Sequence, residues 1–360
     1  MTDRVPAGWH HAASATVGDV GEHALIHWIT GRVGAARSAD VALGIGDDAA
    51  VVRPRRNHVD VLTTDVLVDG VHFRRAYGTA RDVGHRALHV NLSDVASMGA
   101  EPRVALLSLG LPATLEARWV AELVDGLIEA AEASRVQLVG GNVSQSPVLF
   151  VDVTVTGAVK PRDVLRRTGA RAGDELYVSG DVGAAAAGLA WLAHADAPGG
   201  PEPDVLTTAL ARYRRPEARV ALGLQVGRNR AASACMDTSD GLADALRQLA
   251  RASGVGVRVD AAALPVSPAV AHVAAALGRD AEALTWSGGE DYELLFAVPR
   301  RFRRRFLHAS GRKGLPVVTR IGVCTKDADL VVVQADGREA PLAGGFEHFG
   351  ATTTGREARG

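Results

Sequence analysis

The chain has 360 residues, more than twice the roughly 150 residues of an ordinary domain, so two domains are expected. Forty Lys+Arg against 41 Asp+Glu leave a formal net charge of −1, which excludes the broad attraction that sequence-independent nucleic-acid binding requires. Hydrophobic residues at 47% exclude a disordered chain, and two cysteines, Cys235 and Cys324, exclude a disulfide framework and a four-ligand zinc site.

The opening MTDRVPAGWHH has no apolar segment behind its first charges, so a secretory signal is not expected and a cytoplasmic protein is. Residues 1–18 carry no pattern and read as a flexible leader. From Asp19 to Val33, the residues Val20, Ala24, Ile26, Ile29 and Val33 recur at helical spacing. Three β-rich runs follow at 49–53, 59–64 and 68–73, suggesting a sheet edge crowded with acids. The pattern then predicts a helix over 81–98, a strand over 103–111, a helix over 115–133, and strands over 136–139 and 148–156. Glycine, proline and arginine concentrate in 157–173, which reads as a domain boundary.

Beyond it the spacing predicts a strand at 175–179, an alanine-rich helix from Gly183 and a Pro/Gly-rich loop over 197–203. A strand from Ser233, a helix over 240–253 and strands at 255–259 and 292–298 come next. Residues 261–278 lack charged side chains, but Pro265, Ser267, Pro268 and His272 interrupt them, so no membrane span is read there. Residues 351–360 read as a fraying tail. Helices alternating with strands define an α/β (α+β) layer structure. The expected division is leader 1–18, first domain 19–157, second domain 158–350 and tail 351–360.

Aspartates end apolar runs beside glycine, serine or threonine: GIGDDAAVV with Asp47 and Asp48, TTDVLVDGVHF with Asp65, NLSD with Asp94, and MDTSDGL with Asp237 and Asp240. Each alone also fits a solvated turn, a strand edge or a helix cap. As a set they do not. Two like charges about 4 Å apart cost about 4 kcal/mol at an effective dielectric of about 20, so several carboxylates share a cleft only with cations among them. Oxygen ligands of this kind suit Mg²⁺ bridging to phosphates. The turn before the helix in MDTSDGL, the Gly140-Gly141-Asn142 strand end and SGGEDYE fit close approach to an anion. There is no GxxxxGK[ST], no GxGxxG between strand and helix and no GxSxG, and lysine occurs only at Lys160, Lys313 and Lys326. A P-loop kinase, a Rossmann site and a nucleophile elbow are thereby excluded.

GIGDDAAVV, TTDVLVDGVHF, NLSDVASMGAEP, VGGN, MDTSDGL, SGGEDYELLF and the closing GFEHF, in this order from about Gly21 to Phe349, resemble the thiamine-monophosphate kinase family. That family belongs to a superfamily with aminoimidazole ribonucleotide synthetase and selenophosphate synthetase. The resemblance implies an N-terminal mixed-sheet domain that pairs in a homodimer, a C-terminal α/β domain and a cleft between them. It also implies transfer of phosphate from ATP to thiamine monophosphate with several Mg²⁺ ions. By position it implies Asp48, Thr63, Thr64, Asp65, Asp94, Asn142, Asp237 and Asp240 as metal ligands. Gly141, Asn142, Arg167 and Ser239 are implied as ATP contacts, and His72, Glu290 and Phe346 as substrate contacts. Asp65, Asp94, Asp237 and Arg167 would carry the chemistry. Many relatives have aspartate at the position of Asn142, and some have an ATP-contacting tyrosine in the helix that here carries Val124.

Within the superfamily, selenophosphate synthetases have an early reactive Cys or selenocysteine and a lysine, and hydrogenase-maturation relatives end in a cysteine; this chain has neither. An aminoimidazole ribonucleotide synthetase-like enzyme and a non-catalytic nucleotide-binding scaffold remain as the alternatives.

Overall fold

The computed structural model describes residues 8–12, 14–34, 38–194 and 203–343. Its first part is a four-stranded sheet in the order Val59–Val68, Phe150–Val159, Glu101–Leu111, Gln137–Gln145. The first two junctions are antiparallel and the last, between Glu101–Leu111 and Gln137–Gln145, is parallel. Side chains alternate across each strand. On Val59–Val68 this sends Thr63, Asp65 and buried Leu67 to one face and exposed Leu62, Thr64 and Val66 to the other.

Helices Ala80–Ser97 and Ala117–Ala133 cover the inner face, and Val83, Leu88, Leu92, Leu123 and Leu127 fill the layer between. The first helix starts cleanly because Thr79 and Asp82 form a reciprocal cap. The two helices cross without side-chain spacers: a Cβ at Gly84 would lie 2.0 Å from the Leu123 carbonyl oxygen. That close crossing sets the depth at which the far end of Ala80–Ser97, with Ser93 and Asp94, meets the second part of the chain.

The second part is a seven-stranded sheet in the order Glu339–Pro341, Leu330–Val333, Gly256–Asp260, Val318–Thr325, Glu175–Ser179, Leu294–Val298, Ala234–Asp237. All junctions are antiparallel except Leu330–Val333 with Gly256–Asp260. Both faces are apolar. Leu176, Val178, Met236 and Leu295 pack with helix Leu242–Ser253, whereas Tyr177, Cys235, Phe296 and Phe306 pack with helices Val220–Arg228 and Arg303–Ser310. Such two-faced burial explains why these strands read as continuous apolar runs. The α/β, two-sheet architecture is the expected one.

Several elements differ from expectation. The run at 68–73 is a turn, with the N–H groups of Val71 and His72 both donating to the Val68 carbonyl. Asp69-Gly70 is a turn pair, and Gly70 takes φ 84°. Strand 59–64 instead continues to Val68, and within 49–53 only Val51–Val52 pairs, with Val41–Leu43. The predicted helix at 240–253 begins at Leu242, leaving Ser239 and Asp240 in the preceding turn. The charge-poor residues 261–278 hold a short 3₁₀ turn and helix Pro268–Leu277, and no described helix is long and apolar enough to cross a membrane. Within residues 1–18, Trp9 is buried and its ring centroid stands 5.4 Å from that of Trp28. The 197–203 loop lies almost wholly, and the 351–360 tail entirely, outside the described residues.

Candidate active site

The site lies where helix Ala80–Ser97 meets strand Ala234–Asp237 of the second sheet. Thr63, from the first sheet's edge strand, donates to Asp94 Oδ2 at 2.5 Å. One residue earlier on the helix, Ser93 Oγ donates to Asp237 Oδ2 at 2.7 Å, and Ser239 Oγ reaches Asp237 Oδ1 at 3.3 Å. Asp65 is pushed up to about 6, first by burial and then by the charges of Asp94, Asp152 and Asp240. Asp237 is pushed up to about 7 by burial and Asp94, against the pull of Ser93, Arg167 and Ser239. Asp94 therefore sits close enough to act on carboxylates of both domains. Arg167 is exposed and donates to Gln248 Oε1 at 2.7 Å, and Gln248 in turn donates to Asp244 Oδ2 at 2.5 Å. This chain of bonds ties Arg167 to helix Leu242–Ser253, and its charge acts on Asp237.

The structure thus brings Thr63, Asp65, Asp94, Asp237, Ser239, Asp240 and Arg167 to one junction. Thr64, Asp48, Gly141 and Asn142 stand elsewhere. Thr64 points to the open face of the sheet, where it bonds Asp152 Oδ1 at 2.8 Å and Thr154 Oγ1 at 3.0 Å. Asp48, Gly141 and Asn142 line a cleft of about 930 Å³ on that face, with Thr154, Thr156 and Leu106. Asp152 links the two groups, since it bonds Thr64 and its charge acts on Asp65. Gly141 also has a purely structural reason to be glycine: a Cβ there would lie 1.8 Å from the Leu107 carbonyl oxygen of the neighbouring strand.

Among the described residues, no three His, Cys, Asp or Glu side chains converge tightly enough to hold a metal ion by themselves. Mg²⁺ does not need that: it uses one or two carboxylates and completes its shell with water and substrate phosphate. Carboxylates whose protonation is favoured by burial and then by neighbouring carboxylates, as at Asp65 and Asp237, are the donor set that a divalent ion relieves.

Next to this junction, His72 Nδ1 accepts the Val68 N–H at 3.1 Å, and Glu290 pairs with Arg86. The Glu290 N–H donates to the Ser239 carbonyl at 2.7 Å, which fastens SGGEDYE to MDTSDGL. Phe346 lies outside the described residues. Val124 is fully buried in the first domain's core and lines no part of the cleft. The sequence reading missed Ser93, Arg86 and Asp152. Ser93 looks like an ordinary polar position in a helix, whereas Asp152 carried a signal, being an acid inside the apolar alternation LFVDVTVTG.

Fold and site define an ATP-handling protein of the AIR synthase class. The family described as "AIR synthase related protein, N-terminal domain" matches residues 46–159, and its C-terminal counterpart matches residues 171–334. The chain is 40% identical over 337 residues to the thiamine-monophosphate kinase of Escherichia coli (strain K12), covering 91% of this chain and 98% of that one. The crystal structure of thiamine-monophosphate kinase from Stenotrophomonas maltophilia K279a superposes with a TM-score of 0.74 at 36% identity, covering 88% of this chain and 95% of that one. A complex of AaThiL with AMPPCP and TMP superposes with a TM-score of 0.71 at 32% identity, covering 94% and 100%. The chain belongs to the thiamine-monophosphate kinase family.

Proposed function

We propose that this chain transfers the γ-phosphoryl group of ATP to thiamine monophosphate, releasing ADP and thiamine diphosphate. The observation that carries the reading is the crowding of Asp65, Asp94, Asp237 and Asp240 at the junction of the two domains. Unrelieved, such crowding destabilises a fold, so its presence fits a site completed by cations and phosphates. The relative solved with AMPPCP and TMP supports the same pair of substrates.

The attacking group is an oxygen of the substrate phosphate. With a second pKa near 6, that phosphate is largely dianionic near pH 7, so no strong general base is required. The obstacle is one anion approaching another. Asp65, Asp94, Asp237 and Asp240 with Thr63 on one side, and Asp48, Thr64 and Asn142 on the other, would hold Mg²⁺, which would supply positive charge against the facing phosphates. Arg167 adds a fixed cation whose field already reaches Asp237. Ser239 and the backbone around Gly141 contact ATP. His72, Glu290 and Phe346 orient the thiamine part. The work of the side chains is positioning and electrostatics, the usual division in phosphoryl transfer.

The same proposal divides the chain near residue 157, supported by strand Phe150–Val159 closing the first sheet and Glu175–Ser179 opening the second. It takes the protein as a homodimer. What supports pairing is a ten-residue edge strand, Val59–Val68, whose open face exposes Leu62 and Val66 beside Leu106. A cytoplasmic setting belongs to it as well, given ATP as donor and the free, buried thiols of Cys235 and Cys324.

Purified protein incubated with ATP, Mg²⁺ and thiamine monophosphate should form thiamine diphosphate and ADP in equal amounts. ATP binding without that product would overturn the reading in favour of a scaffold. ATP turnover that ignores thiamine monophosphate would favour a synthetase-like enzyme.

A further inference from the structure

Arg86 lies in the middle of helix Ala80–Ser97 with its side chain 3% exposed. Its Nη2 pairs with Glu290 Oε1 and lies 3.4 Å from the His72 carbonyl oxygen. Its Nη1 donates to the Tyr213 carbonyl at 2.7 Å, and the guanidinium stands 4.8 Å from the Tyr213 ring centroid. One side chain thus touches the turn that carries His72 in the first domain, and two segments of the second domain. Burial works against the charge on Arg86, but the neighbouring Glu290 more than offsets it, so the guanidinium is held above its ordinary range.

The loop on the other side of this pair is not relaxed. Glu290 has φ 74° and Tyr292 φ 50°, a left-handed conformation that side-chain-bearing residues keep only when the surroundings hold them. The Glu290 N–H is fixed to the Ser239 carbonyl, and Arg86 fixes the carboxylate. Glu290 Oε2 is buried and accepts no hydrogen bond from any described residue. Buried carboxylate oxygens are seldom left so, because an unmet acceptor costs its full desolvation. Thiamine monophosphate carries a cationic thiazolium ring and an amino group, and either can meet that oxygen.

We infer that Arg86 is the positioning residue of the substrate site: it clamps one oxygen of Glu290 and the backbone of His72 together, so that the second Glu290 oxygen is presented to the thiamine part. The inference rests on the assignment of Glu290 and His72 to the substrate. It gives Arg86 no contact with ATP or with the reacting phosphates.

The test is a kinetic double-mutant cycle on the full chain with Arg86→Gln, Glu290→Gln and the pair, alongside Arg86→Lys. Misplacing a substrate contact by about 1 Å costs on the order of a hundredfold. Arg86→Gln should therefore raise KM for thiamine monophosphate about ten- to a hundredfold, with KM for ATP within about twofold of wild type. Arg86→Lys should recover part of the loss, because the charge remains while the two-pronged geometry does not. The double variant should be little worse than the worse single one, as expected of two groups acting as a unit. Should Arg86→Gln fail to fold, the cycle is run with Arg86→Lys. Equal rises in KM for both substrates, or losses that multiply in the double variant, would overturn the assignment while leaving the kinase reading intact. Wild-type protein that makes no thiamine diphosphate would remove both together.

Discussion

Ser93 Oγ donates a 2.7 Å hydrogen bond to Asp237 Oδ2, with both residues buried, so one proton joins a helix of the first domain to a strand end of the second. Replacing Ser93 by alanine leaves that carboxylate short of a donor without changing the backbone. A buried acceptor deprived of its partner costs about 1–3 kcal/mol. Ser93→Ala is therefore expected to lower the unfolding free energy read from urea melts by that amount and to slow turnover about tenfold or more, since Asp237 loses the bond that aims it. Both quantities are read on the same preparation; wild-type values for each would show that the junction does not depend on this contact.

Asp65 poses the opposite balance. Its rise from 3.8 to about 6 comes from burial and from Asp94, Asp152 and Asp240, so at neutral pH the carboxylate is ionised but less stable in the fold than in the unfolded chain. At about 1.4 kcal/mol per tenfold, this amounts to no more than about 3 kcal/mol. Asp65→Asn removes the repelled charge. In the absence of Mg²⁺ the variant should be at least as stable as wild type, while its turnover with Mg²⁺ falls by orders of magnitude. Thermal melts with chelator, set beside steady-state rates, decide it; near-normal rates would take Asp65 out of the metal set.

What made Asp65, Asp94, Asp237 and Asp240 legible in the sequence is that each acid interrupts or ends an apolar run, where a structural role is scarce. Arg86 and Ser93 lacked that contrast. A polar residue every few positions is what any helix shows, and only the fold reveals that Ala80–Ser97 is enclosed on nearly all sides, with Arg86, Asn91 and Ser93 buried. Periodicity also failed where alanine is abundant: helix Pro268–Leu277 carries too little contrast between its faces to stand out. The split between Thr63 and Thr64 was implicit in strand alternation. Which face held the helices was not, because that depends on pairing with Phe150–Val159, almost a hundred positions away.

Asn142 offers a gain-of-charge test. Its side chain is exposed, donates to Ser144 Oγ at 3.0 Å and shares the cleft with Asp47 and Asp48. Asn142→Asp adds a carboxylate of nearly the same shape. Stability should change by no more than about 0.5 kcal/mol, as for most exposed positions. If Asn142 is a neutral metal contact, the Mg²⁺ concentration giving half-maximal turnover should drop severalfold. A magnesium titration identical to wild type would instead leave Asn142 as a backbone neighbour of ATP.

His85 and His89 stack on helix Ala80–Ser97 with ring centroids 4.1 Å apart, and they make the joint sensitive to pH. His89 Nδ1 accepts the Ala218 N–H at 3.1 Å, and His85 Nε2 lies 3.0 Å from the Pro216 carbonyl oxygen, so the pair seats a second-domain segment on helix Ala80–Ser97. His89 is held down at about 3 by burial first, then by His85, Arg215 and Arg219; burial lowers His85 too. The folded chain thus refuses a proton that the unfolded chain accepts below about 6.5. Stability from His89 is complete above that pH and is lost as pH falls toward 3, by about 1.4 kcal/mol for each pH step. Wild type should therefore lose about 2 kcal/mol between pH 6.5 and pH 5 from this residue. In His89→Gln, whose amide oxygen can still accept from Ala218, that part of the slope should vanish. Urea midpoints at pH 7.5, 6.5 and 5 for both proteins measure the difference, and parallel curves would mean that the imidazole already takes up its proton within the folded joint.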